Sequence, residues 1–255
     1  MSRQGLKTIN LKIPKLKIFC DFDGTVTKKD VWVDALGRFI NDKNAFNIVC
    51  DEFSNGKITS RECIKKELDL VENFDFGVFD GYIEQQELDD YFLEFVEYCS
   101  DNNFEIYLLS EGLDYYIKYV LNKFKIDLPY FCNTLITNEN NGKLRLSCEF
   151  PYSDEHCNSC GMSKRNVLIS NTNDLEKEIS VFIGDGVSDF CVSQYADVIF
   201  AKHTLASFCW KNNITYFDYK NFGDVKNKII KLISKGHIKQ RQNAKTLRKE
   251  VLFGG

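Results

Sequence analysis

A short acidic string near the N-terminus has the residue types and the spacing of a reacting centre. Asp21 and Asp23 stand two residues apart in DFDGTVT, directly after the apolar run LKIFC. The pair alone would also suit a simple metal site or a solvated turn. Residues two apart on an extended segment point the same way, so one carboxylate can attack an electrophile while the other handles the leaving-group proton. Gly24 would let the loop turn back, and Thr25 can hydrogen-bond it.

Three other polar loops lie at or just after the ends of predicted strands. They carry Ser110, Lys164, and the pair Asp185 and Asp189. In an open parallel sheet the ligand site lies beyond the carboxyl ends of the strands, where loops from separate strands converge. We therefore expect these side chains to share one site with the acidic string.

The segments that must position these loops alternate between strand and helix patterns. A turn at 140–142 joins one predicted strand to the β-prone string KLRLSCEF. Repeated βα units imply an α/β fold with a parallel sheet flanked by helices and right-handed crossovers. The strands that we predict cover residues 16–20, 104–109, 130–136, 179–183 and 197–201.

Residues 31–96 have a different pattern, with apolar residues three and four apart in strings such as VWVDALGRFI, RECIKKELDLV and DDYFLEFVEYC. This pattern predicts a helical insertion and the helix that returns to the core. We therefore predict a core domain of residues 1–30 and 97–255 and a small helical cap of residues 31–96. The polar, basic stretch from about Gly236 onward is either a helix or a loose tail.

The composition is typical of a soluble globular protein. The chain has 255 residues, 44% of them hydrophobic and 27% charged, which is enough apolar material for a sizeable core. A net charge of −4 supplies no cationic field for nucleic acid or an anionic membrane, which favours a small ligand. No apolar run approaches the roughly 18 residues that span a bilayer. We expect a cytoplasmic monomer or homodimer with no nucleic-acid or membrane partner.

The chain resembles the haloacid dehalogenase superfamily over essentially its whole length, through all four of that superfamily's motifs in order. The resemblance implies a Rossmann-like parallel sheet. The helical insertion lies between the first and second motifs, where it is similar to the cap of the phosphoserine phosphatase-like subgroup. The motifs are matched by the string Asp21 to Thr25, by Ser110, by Lys164, and by Asp185 with Asp189.

This resemblance implies a two-step phosphoryl transfer with Mg²⁺ as cofactor. Asp21 would attack phosphorus to give an aspartyl-phosphate, and Asp23 would protonate the leaving oxygen and then take a proton from water. Mg²⁺ would be bound by Asp21, the main-chain carbonyl of Asp23 and Asp185, with Asp189 as a ligand or as a support behind the ligands.

The resemblance also implies a set of groups that hold the phosphoryl oxygens. Ser110 and Lys164 would bind these oxygens, and main-chain N–H groups near Glu111 and Gly112, at a helix start, could add to this. Each assignment has an alternative. Ser110 is also a plausible helix N-cap, Lys164 a solvated surface lysine, and Asp189 a residue that only orients Lys164.

Within this subgroup, the closer resemblance is to the methionine-salvage phosphatases of 2-hydroxy-3-keto-5-methylthiopentenyl-1-phosphate. It rests on CDFDGTVTKKD, LLSEGLDYYI, FPYSDEHCNSCGMSK and FAKHTLASFCWKNNI. The phosphoserine enzymes would place an acidic residue at Asp30 and a substrate-binding Arg at Glu67, where a carboxylate would repel phosphoserine. The candidates for cap residues that contact substrate are Trp32, Arg61, Lys65 and Lys66.

A cysteine motif precedes Lys164. His156, Cys157 and Cys160 form H-C-x-x-C, with Cys148 nearby in the sequence. A Zn²⁺ site normally takes four ligands and a lone C-x-x-C supplies two, so the motif suits a structural zinc, a redox pair, or thiols that merely pack near Lys164. Most of the other cysteines are predicted to be reduced core thiols.

The leading interpretation is a phosphatase that acts on a small phosphorylated metabolite. A phosphomutase or phosphotransferase would need the same motifs and differ in the group that accepts the phosphoryl from Asp21. A non-catalytic binding module that uses its basic tail would have no evident need for the pair Asp21 and Asp23. Dehalogenation is disfavoured because dehalogenases lack the acid/base that Asp23 supplies.

Overall fold

The protein, described by a computed structural model over residues 14–140, 143–157 and 160–254, contains one sheet of seven strands within those ranges. The strands are β1 (Leu16–Asp21), β2 (Glu105–Leu113), β3 (Tyr130–Asn140), β4 (Lys143–Glu149), β5 (Ile179–Gly184), β6 (Val198–Ala201) and β7 (Phe217–Asp218). Their spatial order is β4-β3-β2-β1-β5-β6-β7. All neighbours are parallel except β3 and β4. The predicted α/β fold is confirmed.

The edges of the sheet differ from the prediction in two ways. Strand β4 runs antiparallel to β3, because a connection of a few residues can join only antiparallel strands. The residues 141 and 142 of the predicted turn lie outside the described residues. Strand β7 has two residues, too few for a periodic pattern to reveal.

Helices cover both faces of the sheet and form the insertion. They are α1 (Val31–Leu36), α2 (Lys43–Ser54), α3 (Ser60–Asp69), α4 (Phe76–Ile83), α5 (Phe92–Asp101), α6 (Asp114–Lys123), α7 (Lys164–Ser170), α8 (Phe190–Ser193), α9 (His203–Lys211), α10 (Phe222–Ser234) and α11 (Gln242–Phe253). The first four begin after Asp30, Asp42, Thr59 and Asp75, whose side chains accept main-chain N–H hydrogen bonds. Such caps satisfy donors that a helix start leaves unpaired, which explains why this stretch divides into short helices.

The chain leaves the sheet and returns to it at one place. Thr27 and Leu88 form an antiparallel bridge, and the N–H of Asp89 donates to the carbonyl of Val26 at 2.9 Å. After this crossing, α5 packs against α10, with the rings of Phe92 and Phe222 4.8 Å apart. Helices α1 to α4 therefore lie between the two crossing segments. The exact domain boundaries given above stay a prediction.

The central strand β1 sets the level of the polar loops. It pairs with β2 on one side and β5 on the other, with Asp21 opposite Leu109 and Cys20 opposite Ile183. Ile18 and Cys20 are fully buried, and burying a side chain such as that of Ile18 is worth roughly 1.5–3 kcal/mol. Because the three strands are parallel and in register, the residues that follow them share one edge of the sheet.

The C-terminal stretch, left open by the sequence, contains a helix that packs on the α/β part. Arg248 in α11 is 1% exposed, and its guanidinium bonds to Asp174 and Asp197. The helix is therefore held by intramolecular ion pairs. Within the described ranges no helix is both long and apolar enough to cross a membrane.

Candidate active site

Asp21 and Lys164 form a buried ion pair at the carboxyl edge of the sheet. Asp21 is the last residue of β1, and Lys164 is the first of α7. The Lys164 Nζ donates to Asp21 Oδ1 and, at 2.6 Å, to Asp189 Oδ1. Lys164 is 2% exposed, so its interpretation as a solvated surface lysine is wrong. Burial lowers the pKa of Lys164, but Asp189 and Asp21 raise it by more, so the lysine stays charged.

Asp185 and Asp189 complete a cluster of carboxylates with Asp21. One ligand oxygen from each of the three lies within 4.8 Å of the others. Asp189 Oδ2 accepts from the main-chain N–H groups of Asp185 and Gly186, at 2.9 and 3.1 Å. Asp189 therefore fixes the loop after β5 with one oxygen and Lys164 with the other. The alternative that it orients Lys164 is consistent with this geometry, and so is a role in binding metal.

The electrostatics of this cluster suit a divalent cation. Three carboxylates face one lysine, which leaves an excess of negative charge in a buried place. Burial, followed by the neighbouring Asp189, raises the pKa of Asp21 well above its usual range and raises that of Asp185. A cation among these oxygens would favour the ionised form of Asp21. Mg²⁺ prefers oxygen ligands and usually takes one or two carboxylates, so the donor set fits it.

The Asp23 carboxyl points away from this cluster. Its Oδ1 accepts from the Val31 N–H at 3.2 Å, and its Oδ2 accepts from Ser110 Oγ at 2.9 Å and Tyr116 Oη at 2.6 Å. Burial raises the pKa of Asp23 to about 7, with Asp30 adding to the effect. A carboxyl with a pKa near neutrality can both give and accept a proton at physiological pH, as a general acid and base must.

The loop after β1 needs glycine at one position. Gly24 has a φ of +71°, in the left-handed region that glycine tolerates best. A Cβ there would also lie 3.1 Å from Asp185 Oδ2. The turn brings Thr25 Oγ1 to 3.2 Å from Asp185 Oδ1, to which it donates. The predicted role of Gly24 agrees with this geometry. Thr25 instead bonds to the loop after β5, and the hydroxyl that hydrogen-bonds the loop after β1 is that of Thr27, which accepts from the Gly24 N–H and donates to the Phe22 carbonyl.

The segment after Leu109 differs from the prediction. Strand β2 continues to Leu113 and α6 begins at Asp114, so Ser110 is not a helix N-cap and Gly112 is not at a helix start. The Gly112 N–H donates to Ser110 Oγ at 2.9 Å, and that hydroxyl donates to Asp23. The strand continues through the motif to Leu113, which pairs with Asn133 of β3 after an irregularity in the register. The predicted role of Ser110 and Gly112 in binding phosphate stays a prediction.

Glu111 lies on the opposite side of this strand from Ser110. Its carboxylate accepts from Ser60 Oγ and, at 3.2 Å, from the N–H of Gly161. Burial raises the pKa of Glu111 to about 8. The side chain thus connects the cap helix α3 to the loop before Lys164, a role distinct from the predicted one of its main-chain N–H.

Helices α1 to α3 and the carboxylates line opposite sides of a cavity of about 390 Å³. Its floor includes Asp21, Asp23 and Asp185, and its apolar side includes Phe53 and Ile64. A larger groove of about 790 Å³ lies beside α1 and α2 but contains none of the carboxylate cluster. The smaller cavity is therefore the candidate substrate site.

Of the four cap residues that are candidates for contact with the substrate, one lines the cavity and three do not. Trp32 lines the cavity, and its Nε1 donates to Glu67 Oε2 at 2.7 Å. Arg61, Lys65 and Lys66 are not among the described residues that line it. The first two lie over the Phe150 ring, at 4.6 and 5.6 Å, and Lys66 pairs with Glu52.

Three thiols meet beside α7. Cys157 and Cys160 interact with each other and with Cys191, which lies in α8. Hydrogen bonds from the Cys160 thiol, which has the larger effect, and from the Cys191 thiol hold the pKa of Cys157 well below its usual range. The His156 side chain is 76% exposed and lies 3.4 Å from Glu155. The choice among zinc, a redox pair and packing thiols stays open, but Cys191, which no spacing rule links to C-x-x-C, belongs to the group.

Sequence reasoning missed further residues of the site. Tyr116 reaches Asp23, Ser188 Oγ lies 3.2 Å from Lys164 Nζ, and Tyr219 donates to the Gly184 carbonyl at 3.2 Å. The spacing of Ser188 within GDGVSD is the one signal that pointed to this place. The tyrosines resemble core aromatics in a sequence, because the partners of their hydroxyls are distant in the chain, 93 residues for Tyr116 and 35 for Tyr219.

The chain belongs to the haloacid dehalogenase-like hydrolase family, whose model matches residues 18–194. The carboxylate cluster, Lys164 and the loops after β1, β2 and β5 all lie within these residues. The resemblance drawn from the four motifs is therefore confirmed.

Relatives and solved structures extend this result. The chain is 27% identical over 222 residues to the 2-hydroxy-3-keto-5-methylthiopentenyl-1-phosphate phosphatase of Bacillus cereus, covering 86% of this chain and 97% of the relative. It is 28% identical over 215 residues to the Brevibacillus brevis protein of the same name, covering 83% and 93%. A phospho-aspartyl intermediate analogue of phosphoserine phosphatase has a similar fold, with a TM-score of 0.66, 20% identity, and coverage of 85% and 99%. A cytosolic 5'-nucleotidase IIIB bound to cytidine gives a TM-score of 0.57, 16% identity, and coverage of 88% and 86%.

Proposed function

We propose that this protein is a magnesium-dependent phosphatase that hydrolyses a small phosphorylated metabolite through an aspartyl-phosphate on Asp21. The observation that carries the proposal is the cluster in which ligand oxygens of Asp21, Asp185 and Asp189 lie within 4.8 Å of one another and Lys164 bonds to Asp21 and Asp189. A nucleophilic carboxylate and a set of oxygen ligands thus occur together in the cavity that the helices α1 to α3 line. Bound Mg²⁺ would supply positive charge at the phosphoryl oxygens.

The residues then divide the work in two steps. Asp21 attacks phosphorus, and Asp23, on the other side of the reacting group, gives its proton to the leaving oxygen. In the second step Asp23 takes a proton from the water that attacks the aspartyl-phosphate, and Asp21 is released. Lys164 balances the charge that develops on the phosphoryl oxygens, because its Nζ already lies beside Asp21. The Asp21 carboxylate, the Asp23 main-chain carbonyl and Asp185 would hold the metal, with Asp189 as a ligand or as a support behind the ligands.

The cavity argues for a leaving group without a carboxylate. Asp30, Glu67 and Glu111 line it, together with Trp32, and no lysine or arginine is among its described lining residues. A substrate such as phosphoserine would bring its own carboxylate against these acids. The two phosphatases of 2-hydroxy-3-keto-5-methylthiopentenyl-1-phosphate similar to this chain make that enol phosphate the first substrate to test.

The test is release of phosphate from 4-nitrophenyl phosphate, phosphoserine and the methionine-salvage enol phosphate, with Mg²⁺ or with EDTA. Wild type should turn over at least one ester only with Mg²⁺, and Asp21→Asn should lose turnover by at least about 10³-fold, because it removes the nucleophile. The matched control is Asp51→Asn, at a side chain exposed on α2. Turnover in EDTA or in Asp21→Asn would overturn the proposal. Phosphate transfer to an added alcohol without net hydrolysis would favour a phosphotransferase.

A further inference from the structure

Tyr116 in α6 lies at the Asp23 carboxyl and belongs to none of the four motifs. We propose that Tyr116 is a positioning residue that fixes which oxygen of Asp23 carries the proton for the leaving group. This inference rests on the proposed function. It concerns a group that acts through Asp23 and not on the substrate itself.

The argument begins with the acceptor positions of the carboxyl. A carboxyl oxygen can accept about two hydrogen bonds. Oδ2 has both, from Tyr116 Oη at 2.6 Å and from Ser110 Oγ at 2.9 Å. Among the described residues, Oδ1 has one donor, the Val31 N–H at 3.2 Å. The proton of a neutral Asp23 is therefore best placed on Oδ1, because Oδ1 accepts one hydrogen bond and has a second lone pair free for the proton.

The contact is built into the surrounding structure. Tyr116 is 0% exposed, and its ring lies 6.5 Å from that of Phe22. Gly112 gives the hydroxyl its room, since a Cβ at that position would overlap the Tyr116 side chain. Gly112 does not have a left-handed φ, so space and not backbone conformation explains the glycine. Gly112 thus leaves the space in which the Tyr116 hydroxyl contacts Asp23.

The position of the proton on Oδ1 matters for the departure of the leaving oxygen, which is the first step of the reaction. As the bond from Asp21 to phosphorus forms, the bond to the leaving oxygen breaks, and that oxygen takes the proton from Asp23. In hydrolysis, water bonds to phosphorus, the Asp21 bond breaks, and the water proton returns to Asp23. An alkoxide needs the proton to leave, whereas nitrophenolate leaves readily without it. A badly oriented Asp23 should therefore slow alkyl esters far more than nitrophenyl esters.

The experiment compares kcat/KM for 4-nitrophenyl phosphate and for 2-phenylethyl phosphate, an alkyl ester of similar size, with Mg²⁺ and the full chain. This constant includes steps only up to release of the alcohol, so hydrolysis of the aspartyl-phosphate does not enter. For Tyr116→Phe we expect a fall of about tenfold or more on the alkyl ester and less than about threefold on the nitrophenyl ester. The control is Tyr119→Phe, whose hydroxyl is on the same helix and pairs with Glu84 at the surface. It should change both constants by less than about twofold.

The outcomes separate this inference from the proposed function. Turnover of the nitrophenyl ester by Tyr116→Phe shows that the variant is folded, and a thermal melt checks this independently. Equal losses on both esters, or no loss on the alkyl ester, would overturn the inference and leave the phosphatase standing. Absence of turnover by wild type on every ester would overturn both.

Discussion

Replacing Lys164 with methionine should strongly destabilise the protein without Mg²⁺, and Mg²⁺ should restore part of the loss. Methionine has a similar length and no charge. In the variant, Asp21, Asp185 and Asp189 would remain together with no cation from Lys164, which is 2% exposed in the wild type. Removing one partner of a buried ion pair costs about 3–5 kcal/mol, because the other charge stays buried and unpaired. We expect a loss of this size in the free energy of unfolding in EDTA.

Added Mg²⁺ should act more strongly on the variant than on the wild type. A ligand that binds only the folded state stabilises it by about 2.7 kcal/mol at a hundredfold excess over its Kd. Without Lys164 the same carboxylates carry one more unit of uncompensated charge, so they should bind the cation more tightly. The difference in unfolding free energy between the two proteins should therefore narrow as Mg²⁺ is added.

Urea denaturation followed by circular dichroism, in EDTA and across a Mg²⁺ series, measures both effects. The control is Lys66→Met, which breaks the exposed pair with Glu52 and should change stability by less than about 1 kcal/mol. A loss below about 1 kcal/mol for Lys164→Met in EDTA would refute the reasoning about its buried charge. Equal stabilisation of both proteins by Mg²⁺ would show that the cation does not bind at these carboxylates.

Two further predictions concern groups away from the reacting centre. Burial raises the pKa of Glu67 in the folded state, so the contribution of Glu67 to the free energy of unfolding should fall as the pH rises from about 4, the ordinary range of glutamate, through that raised value. Glu67→Gln cannot ionise, and urea midpoints should show it gaining stability relative to wild type between pH 4.5 and 7; a constant difference would contradict this. Arg248→Met should lower the free energy of unfolding by about 3–5 kcal/mol, because it leaves Asp197 buried without its cation, and should leave kcat/KM of the folded fraction unchanged. A loss of kcat/KM with normal stability would contradict the assignment of Arg248 to the fold.

Local sequence rules recovered the parts of this protein that depend on neighbours in the chain. The strand LKIFC, followed by carboxylates and glycine, predicted both β1 and the reacting loop, because strand propensity and turn chemistry act over a few residues. The edge strand of the sheet and the end of β2 were harder to predict. Strand β7 has two residues. Strand β2 continues past Leu109, where its pairing with β1 ends, to Leu113, which pairs with Asn133 of β3 after an irregularity in the register. The sequence also suited a helix cap at Ser110, because the pairing that continues β2 to Leu113 is with a strand distant in the chain.

Periodicity and motif order were enough to predict the α/β class and to propose Asp21, Asp23, Lys164, Asp185 and Asp189 as site residues. Each of these predictions follows from short-range periodicity or from a string that can be compared with a family. Which carboxyl oxygen accepts from which donor became visible only in the folded structure. Tyr116 reaches Asp23 across a separation of 93 residues, and its place depends on the packing of α6 and the space at Gly112. Such contacts are set by the register of parallel strands, and no local pattern records them.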